Sequence, residues 1–464
     1  MDFLGRTKEL QVLEREHSRK GGFVVVYGRR RVGKTTLIKE FIKGKDALYF
    51  LASNESAQLN MQRFARDVAA FAGKLELAEA TYSDWRTIFR LFADCRKSRK
   101  KVLVIDELPY LIQADPALPS VLQYAWDEIL SDAKVTLILC GLHTHMMLSE
   151  VLSRESPLYG RRTAQIKLHP LTFAEMQKGF GGFAFSGQLA IYAICGGVPK
   201  YLEFFNTSKN ISETIAHNAL ETSGFLYDEP RYLLAQDTRS PINHYSLLHT
   251  IAQGNHKPSD IANRMQRGQN DISPYLKTLE ELGYIERRVP ATEKNPDRSK
   301  MGLYFISDPL FKFWFTYVQA FEGELELGNK LPSLDAIKRT FDSNFLPFTF
   351  EEISRQTLAE LCASGQINFS PKRIGAFWDR KGTTAIDVCA PESQSSRLLL
   401  GECKLHTRKA FSLSEYLAFT EKCERAFPGQ NQVRVLFSQT GFSSDLAKEA
   451  ESQQVYLVDQ CKLV

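Results

Sequence analysis

The run FVVVYGRRRVGKTTLIKEF, Phe23 to Phe41, leaves this chain few folds to choose from. Phe23 to Tyr27 is short, apolar and β-branched, the pattern of a strand buried on both faces of a parallel sheet. Leu37 to Phe41 reads as helix. Between them Gly28, Arg29, Arg30, Arg31, Val32, Gly33, Lys34 and Thr35, followed by Thr36, fit G-x-x-x-x-G-K-[ST] in the strand–loop–helix context that this motif requires. Glycines let backbone N–H groups wrap around phosphates, and the helix amino terminus adds a positive dipole. Lys34 is expected to reach the β- and γ-phosphates of ATP, and Thr35 to ligate Mg2+.

A second apolar run, Val102 to Ile105 in KVLVIDELPYL, ends in Asp106-Glu107. The carboxyl end of a strand is where α/β folds place ligand chemistry. Asp106 is expected to hold the Mg2+ shell, and Glu107 to orient or deprotonate the attacking water. Alone, the pair would also serve as a helix N-cap after a strand; below a phosphate loop we read it as catalytic. After a third run, Val135 to Cys140, the polar candidates for sensing the γ-phosphate are His143 and Thr144, because Leu142 follows Gly141. In SPLYGRRT, Arg161 and Arg162 either offer a cation to the γ-phosphate, in cis or from a neighbouring subunit of a homo-oligomer, or form a solvated pair.

Length and composition bound the rest. A chain of 464 residues is too long for one core and implies about three domains. With 43% hydrophobic and 24% charged residues it has the composition of a globular protein. A net charge of +5 permits nucleic acid as a partner without demanding it. The eight cysteines include no C-x-x-C pair, so they read as thiols of a reducing compartment. MDFLGRTKEL is no secretory signal, and no apolar run approaches the roughly 18 residues that span a bilayer. The expected setting is cytoplasmic, with no membrane.

Five segments carry a family resemblance: FLGRTKEL, the phosphate loop, VIDELPYL, SPLYGRRT and CGGVPKYL. Together they resemble the archaeal-type ATPases of the AAA+/STAND group, and the likeness runs on through SGFLYDEPRYLL to the carboxyl terminus. The resemblance implies that Phe3 and Arg6 line the adenine pocket, and that Gly196 to Pro199 belong to a helical lid. Plain turn chemistry would explain the Gly-Gly-Val-Pro segment locally. Where that family usually shows Gly-Ser-Ser after the third strand, this chain has Gly-Leu-His.

From Ile242 the pattern becomes three short helices, with Ser259 as the expected N-cap of the second and Gly283 ending the third. IERRVPATEKNPDRSKMGLYFI then reads as a hairpin, which makes a winged helix. Its third helix carries Asp271, Glu280 and Glu281 against Lys277, which is poor for reading bases. Its wing carries Arg287, Arg288, Arg298 and Lys300, which suit phosphates; an internal packing module that senses the nucleotide is the other reading. FKFWFTYVQAF reads as an aromatic core helix, and GNKLPSLDAIK as a linker.

The last segment opens on the helical FTFEEISRQTLAEL, which contains Glu352. Two strand-like stretches follow, TTAIDVCA with Asp387 and LLLGECKLH with Glu402 and Lys404. Residues i and i+2 share a strand face, so Glu402 and Lys404 point the same way. This layout resembles PD-(D/E)xK restriction-endonuclease-like nucleases. Asp387, Glu402 and the Cys403 carbonyl would offer hard oxygens to Mg2+ or Mn2+, with Glu352 as a further ligand, direct or indirect. Lys404 would position the attacking water or steady developing charge. A structural Glu–Lys pair at a strand end remains the alternative.

The expected fold is thus α/β. It comprises a P-loop NTPase with a parallel sheet (1–172), a helical lid (173–240), a winged helix (241–310), a helical linker (311–344) and a restriction-endonuclease-like α/β domain (345–464). The expected function is an ATPase whose cycle controls a nuclease-like domain acting on DNA, or else a nucleotide switch or DNA-binding regulator that does not cut.

Overall fold

A computed structural model of the protein describes residues 3–141, 146–206 and 210–464. His143 and Thr144, the expected γ-phosphate sensors, lie outside the described residues. The chain divides into two compact units, Met1–Leu171 with Val198–Lys200, and Thr172–Gly197 with Tyr201–Val464.

The first unit is built on strands β1 (Gly22–Tyr27), β2 (Ala47–Leu51), β3 (Lys101–Asp106), β4 (Val135–Gly141) and β5 (Ala164–Lys167). They form one parallel sheet in the order β2-β3-β4-β1-β5. Every residue of β1, β3 and β4 is buried, which is why these three runs lack polar alternation. The strand period of two still sorts their side chains. Phe23, Val25, Leu103, Ile105, Leu137 and Leu139 enter one apolar cluster, and Val24, Val26, Val102, Val104, Ile138 and Cys140 enter the other. Helices α1 (Thr7–Ser18) and α2 (Lys34–Ile42) close the second face with Leu13, Leu37, Ile38 and Phe41. The helices Ala57–Ala72 and Trp85–Asp94 close the first with Phe64, Trp85 and Phe89.

The order matters for chemistry. β4 separates β1 from β3, so the backbone ends of these two strands stand about 10 Å apart across two strand spacings, and side chains such as Thr35 and Asp106 reach into the gap from either side. That gap suits a phosphate and a metal ion. Gly28 starts the loop where a Cβ would lie 2.4 Å from the Leu168 carbonyl oxygen, so no other residue fits.

In the second unit, helices Phe185–Cys195, Ile211–Asn218 and Phe225–Asp237 lead to three more, Pro241–Ala252, Pro258–Arg264 and Gln269–Leu282. Strands β6 (Ile285–Arg288) and β7 (Leu303–Ile306) then pair as an antiparallel hairpin. The N-cap of the Pro258–Arg264 helix is Lys257, not Ser259, because Pro258 takes the first helical position, where its missing N–H costs nothing. Gly283 ends the Gln269–Leu282 helix with φ 76°. Gly196 has φ 58°, and a Cβ there would lie 2.6 Å from the Pro309 ring, so this turn needs glycine twice over.

Phe311, Phe313, Trp314 and Tyr317 are fully buried, so the aromatic run is core. GNKLPSLDAIK is not a free linker. Leu331–Thr340 is helical, and buried Ser333 donates to the Tyr317 carbonyl at 2.6 Å.

The Leu346–Ala363 helix precedes a six-stranded mixed sheet of β8 (Gly375–Trp378), β9 (Ala385–Pro391), β10 (Leu398–Lys404), β11 (Gln432–Ser438), β12 (Tyr456–Asp459) and β13 (Lys462–Leu463). The order is β13-β12-β11-β10-β9-β8. β9 and β10 are antiparallel, while β10, β11 and β12 are parallel and joined through helices Leu413–Ala426 and Ser444–Gln453.

Candidate functional site

The phosphate loop holds itself in shape with its own lysine. Lys34 is 4% exposed, and its Nζ donates to the carbonyls of Gly28 at 2.7 Å and Arg29 at 2.8 Å. Arg6 braces the same loop from outside, donating from Nη2 to the Val32 carbonyl at 2.9 Å. The buried Arg6 guanidinium is thereby tied to the loop backbone. Phe3 packs, partly buried, against the cluster of Leu13, Leu37 and Phe41. Pro199 also reaches the loop, with its Cγ 3.6 Å from where a Gly33 Cβ would lie. The Gly-Gly-Val-Pro segment therefore ends against the phosphate loop.

Asp106, at the end of β3, is 2% exposed. Its Oδ2 accepts from Thr35 Oγ1 at 2.9 Å and from the Tyr49 hydroxyl, and its Oδ1 accepts from the Glu107 N–H at 2.9 Å. Burial and then the Asp106 carboxylate push the Tyr49 phenol well above its ordinary range, so it stays a donor. A hydroxyl and a carboxylate held this close are the hard oxygen donors that Mg2+ takes, so the residues present fit it. Glu107 has φ 57°, a left-handed conformation uncommon for a carboxylate residue and common where sites store strain. It is the N-cap of the Leu108–Ala114 helix, and its backbone carbonyl accepts from the Tyr110 N–H at 3.0 Å.

The second centre lies on the mixed sheet. Gly401 pairs with Val388, which sets Asp387 and Glu402 side by side on antiparallel neighbours. Asp387 Oδ2 accepts from the Cys403 N–H at 2.9 Å. Burial, and next the Glu402 charge, raise the Asp387 carboxyl above the usual carboxylate range. Glu402 is 7% exposed and accepts two ammonium groups, Lys404 on Oε1 at 2.9 Å and Lys422 on Oε2 at 2.6 Å. Burial works against charge on Lys404, but Glu402, with Asp387 and Glu415 behind it, holds the ammonium above its ordinary range.

Glu352 is not the carboxylate that the helix turns toward this pair. Its Oε2 accepts from Arg355 at 3.2 and 3.1 Å and lies 3.9 Å from Arg288. Glu351 faces Asp387 instead. Burial and then the Asp387 charge push its carboxyl up to about 7. Arg355 ties the group together, donating to the Asp387 carbonyl at 2.8 Å with Glu351 at 3.7 Å. Among the described residues, no three His, Cys, Asp or Glu side chains stand where they could hold a metal ion. Asp387 and Glu402 would therefore need backbone oxygen and water to complete a shell.

Residues 3–205 match an ATPase domain found predominantly in Archaea, and residues 314–415 match a family of archaeal and bacterial proteins of unknown function. An uncharacterized protein of Methanocaldococcus jannaschii is 32% identical over 404 residues, 87% of either chain. The chain belongs to the archaeal-type ATPases. A shorter uncharacterized ATP-binding protein of the same organism is 50% identical to this ATPase over 44 residues, 9% of this chain and 75% of its own. Among solved structures, the Walker-type ATPase of Pyrococcus abyssi aligns with a TM-score of 0.54 at 19% identity. It covers 68% of this chain and 96% of its own, a likeness of fold. Among the described residues, no helix of the ATPase is long and apolar enough to cross a membrane.

Other expected site residues of this archaeal-type ATPase are placed elsewhere. Thr163, just after the two arginines, donates its N–H to the Phe23 carbonyl, so Arg161 and Arg162 enter at the sheet edge opposite the phosphate loop. Arg161 meets Asp127 through Nε, 3.0 Å from Oδ1, and Nη2, 2.9 Å from Oδ2, and also donates to the Pro157 carbonyl at 2.9 Å. This corrects the cis reading, since the guanidinium is already paired at the wrong edge. Arg162 donates to the Leu152 carbonyl at 3.5 Å.

On the hairpin, Arg287 donates to the carbonyls of Pro296 at 2.9 Å and Ser299 at 2.5 Å. Arg288 pairs with Glu286 at 2.6 Å and lies over the Phe305 ring. Both stitch the hairpin rather than wait for phosphate, which leaves Lys294, Arg298 and Lys300 exposed. The hairpin loop is itself tied down. Ala291 N–H donates to the Ala376 carbonyl at 2.8 Å, and Arg373 donates to the Ala291 and Glu293 carbonyls.

Sequence reasoning missed Glu351 and Lys422. For Glu351 a signal existed: Phe350, Ile353, Thr357, Leu358 and Leu361 mark the buried stripe, and Glu351 lies on its rim. Lys422 offered none, because only the docking of its helix brings it to Glu402.

Proposed function

We propose that this ATPase is a Mg2+-dependent ATP hydrolase whose nucleotide cycle governs a nuclease-like centre acting on DNA. The observation that carries the first half is the 2.9 Å bond from Thr35 to Asp106, beside Lys34 on the loop. Lys34 would leave the Gly28 and Arg29 carbonyls for the β- and γ-phosphates, and Glu107 would orient the attacking water. Thr35 and Asp106 in one unit, and Asp387 and Glu402 in the other, would hold Mg2+ (Mn2+ being equally suited to the second), which would supply charge to phosphate oxygens and acidify a bound water. Arg161, at the far edge of its own sheet, would have to leave Asp127 to serve a neighbouring subunit's nucleotide in a homo-oligomer.

The second unit is read as helical lid, winged helix (241–310), helical linker and PD-(D/E)xK-like domain (345–464). Asp387 and Glu402 side by side, with two lysines on Glu402, support that last reading. Lys404 and Lys422 would pass from Glu402 to a phosphodiester as its charge develops. A cytoplasmic setting fits the eight free thiols.

A second reading is a non-cutting switch, favoured by the same two lysines, which already neutralise Glu402. Nicking of supercoiled DNA in Mg2+ or Mn2+, with and without ATP, separates the two. Cleavage lost in Glu402→Ala and in Lys404→Ala is the expected result. No cleavage in any condition, with ATP turnover intact, leaves the switch.

A further inference from the structure

The first unit carries its phosphate loop at the carboxyl ends of its strands, and the opposite edge is charged in a way that ATP does not use. All five strands run parallel, so the segments leading into them converge on one edge. Residues 19–20 lead into β1, 43–46 into β2, 94–100 into β3 and 132–134 into β4. These four segments hold nine Lys and Arg against three Asp.

The side chains are neighbours in space. Lys100 donates to the Lys20 carbonyl at 3.1 Å, Lys20 pairs with Asp132 at 2.6 Å, and Arg96 and Arg99 share Asp46 at 2.5 and 3.6 Å. Three glutamates of the flanking helices, Glu14, Glu16 and Glu40, take up three of the cations and leave the edge positive. His17, on the same edge, is held below its ordinary range by burial and then by Lys100 and Lys45. In the order β2-β3-β4-β1 the four segments make a row roughly 15 Å long at ordinary strand spacing.

The ion pairs do not fix this row. Lys20 and Asp132 are 71% and 87% exposed, Lys97 and its partner Asp94 71% and 58%, and Arg99 is 72% exposed at 3.6 Å from Asp46; such pairs are worth about 0–1 kcal/mol. They yield to a better anion. The four segments contain no large aliphatic or aromatic residue, only Cys95 and Ala133. A protein partner needs apolar anchors at the centre of its contact, and a membrane surface needs an apolar face to insert. A polyanion needs neither, and a row of mobile cations suits one.

We propose that this edge binds the phosphodiester backbone of DNA through exposed side chains such as Lys97, Arg99 and Lys134, on the side of the ATPase unit away from the nucleotide. The proposal rests on the reading that DNA is the partner, and adds a surface outside the hairpin and the carboxylate centre.

The test is anisotropy of a labelled DNA duplex with the full chain across a salt series. One variant is Lys97→Glu/Arg99→Glu/Lys134→Glu; a second is Lys294→Glu/Arg298→Glu/Lys300→Glu on the hairpin loop. Each lost phosphate contact flattens the slope of log K against log salt by about 0.9, so the edge variant is expected to lose roughly 2–3 units. ATP turnover, at the opposite edge, serves as the folding control and should match wild type. An edge variant with unchanged affinity and slope overturns the proposal. If the hairpin variant alone loses binding, DNA stands as partner and this surface falls. If wild type does not bind, both fall.

Discussion

Lys422 offers the sharpest test of how the carboxylate centre is held. Glu402 is 7% exposed, and each of its oxygens accepts one ammonium group. Lys422→Met removes the shorter contact, 2.6 Å, and keeps the aliphatic stem. A hydrogen bond between charged groups contributes about 1.5–3 kcal/mol when shielded. The Lys422 side chain is 29% exposed, so solvent reduces this to about 1–2 kcal/mol. Lys404 is 31% exposed and 2.9 Å away, so Lys404→Met is expected to cost less.

The assay is a double-mutant cycle with Glu402→Gln, read as the opening free energy of β10 amides by hydrogen exchange. That readout is local, so it does not require the chain to unfold in one step. The expected coupling between Lys422→Met and Glu402→Gln is about 1–2 kcal/mol. A coupling below about 0.3 kcal/mol would show the pair to be ordinary surface electrostatics and refute the two-ammonium reading.

Three further outcomes are expected. Lys34→Ala should abolish ATP turnover, while Glu107→Gln should bind ATP and retain it; normal hydrolysis in either, by phosphate release, removes the role assigned to that residue. Gly196→Ala combines φ 58° with a methyl 2.6 Å from the Pro309 ring, and should cost about 1–3 kcal/mol in thermal or urea unfolding; wild-type stability would mean the turn is not held by that contact. If the centre cuts DNA, Glu351→Gln should lower the rate at least tenfold and Glu352→Gln should leave it within about threefold, a difference of about 0.7 kcal/mol or more; the reverse order returns the helix carboxylate to Glu352.

The parts legible in the sequence are those written in consecutive residues. The phosphate loop is one unbroken stretch, and its three neighbouring strands are unmistakable because burial on both faces demands an uninterrupted apolar run. Gly283 stops its helix because a left-handed position selects glycine wherever the fold places it. Asp387, Glu402 and Lys404 could be set on two strands because strand parity is local.

Tertiary structure decided the rest. Each helical residue turns about 100°, so one position separates Glu351, facing Asp387, from Glu352, facing Arg355, and only the packed stripe sets that phase. Arg287 and Arg161 looked free in the sequence, but a carbonyl nine residues on claims the first and a carboxylate 34 residues away claims the second. The basic edge exists only because parallel strands bring four short, separate segments together. A charge's sequence position says what it is; its partner is set by long-range contacts, and here those contacts decide which cations hold the fold and which remain exposed.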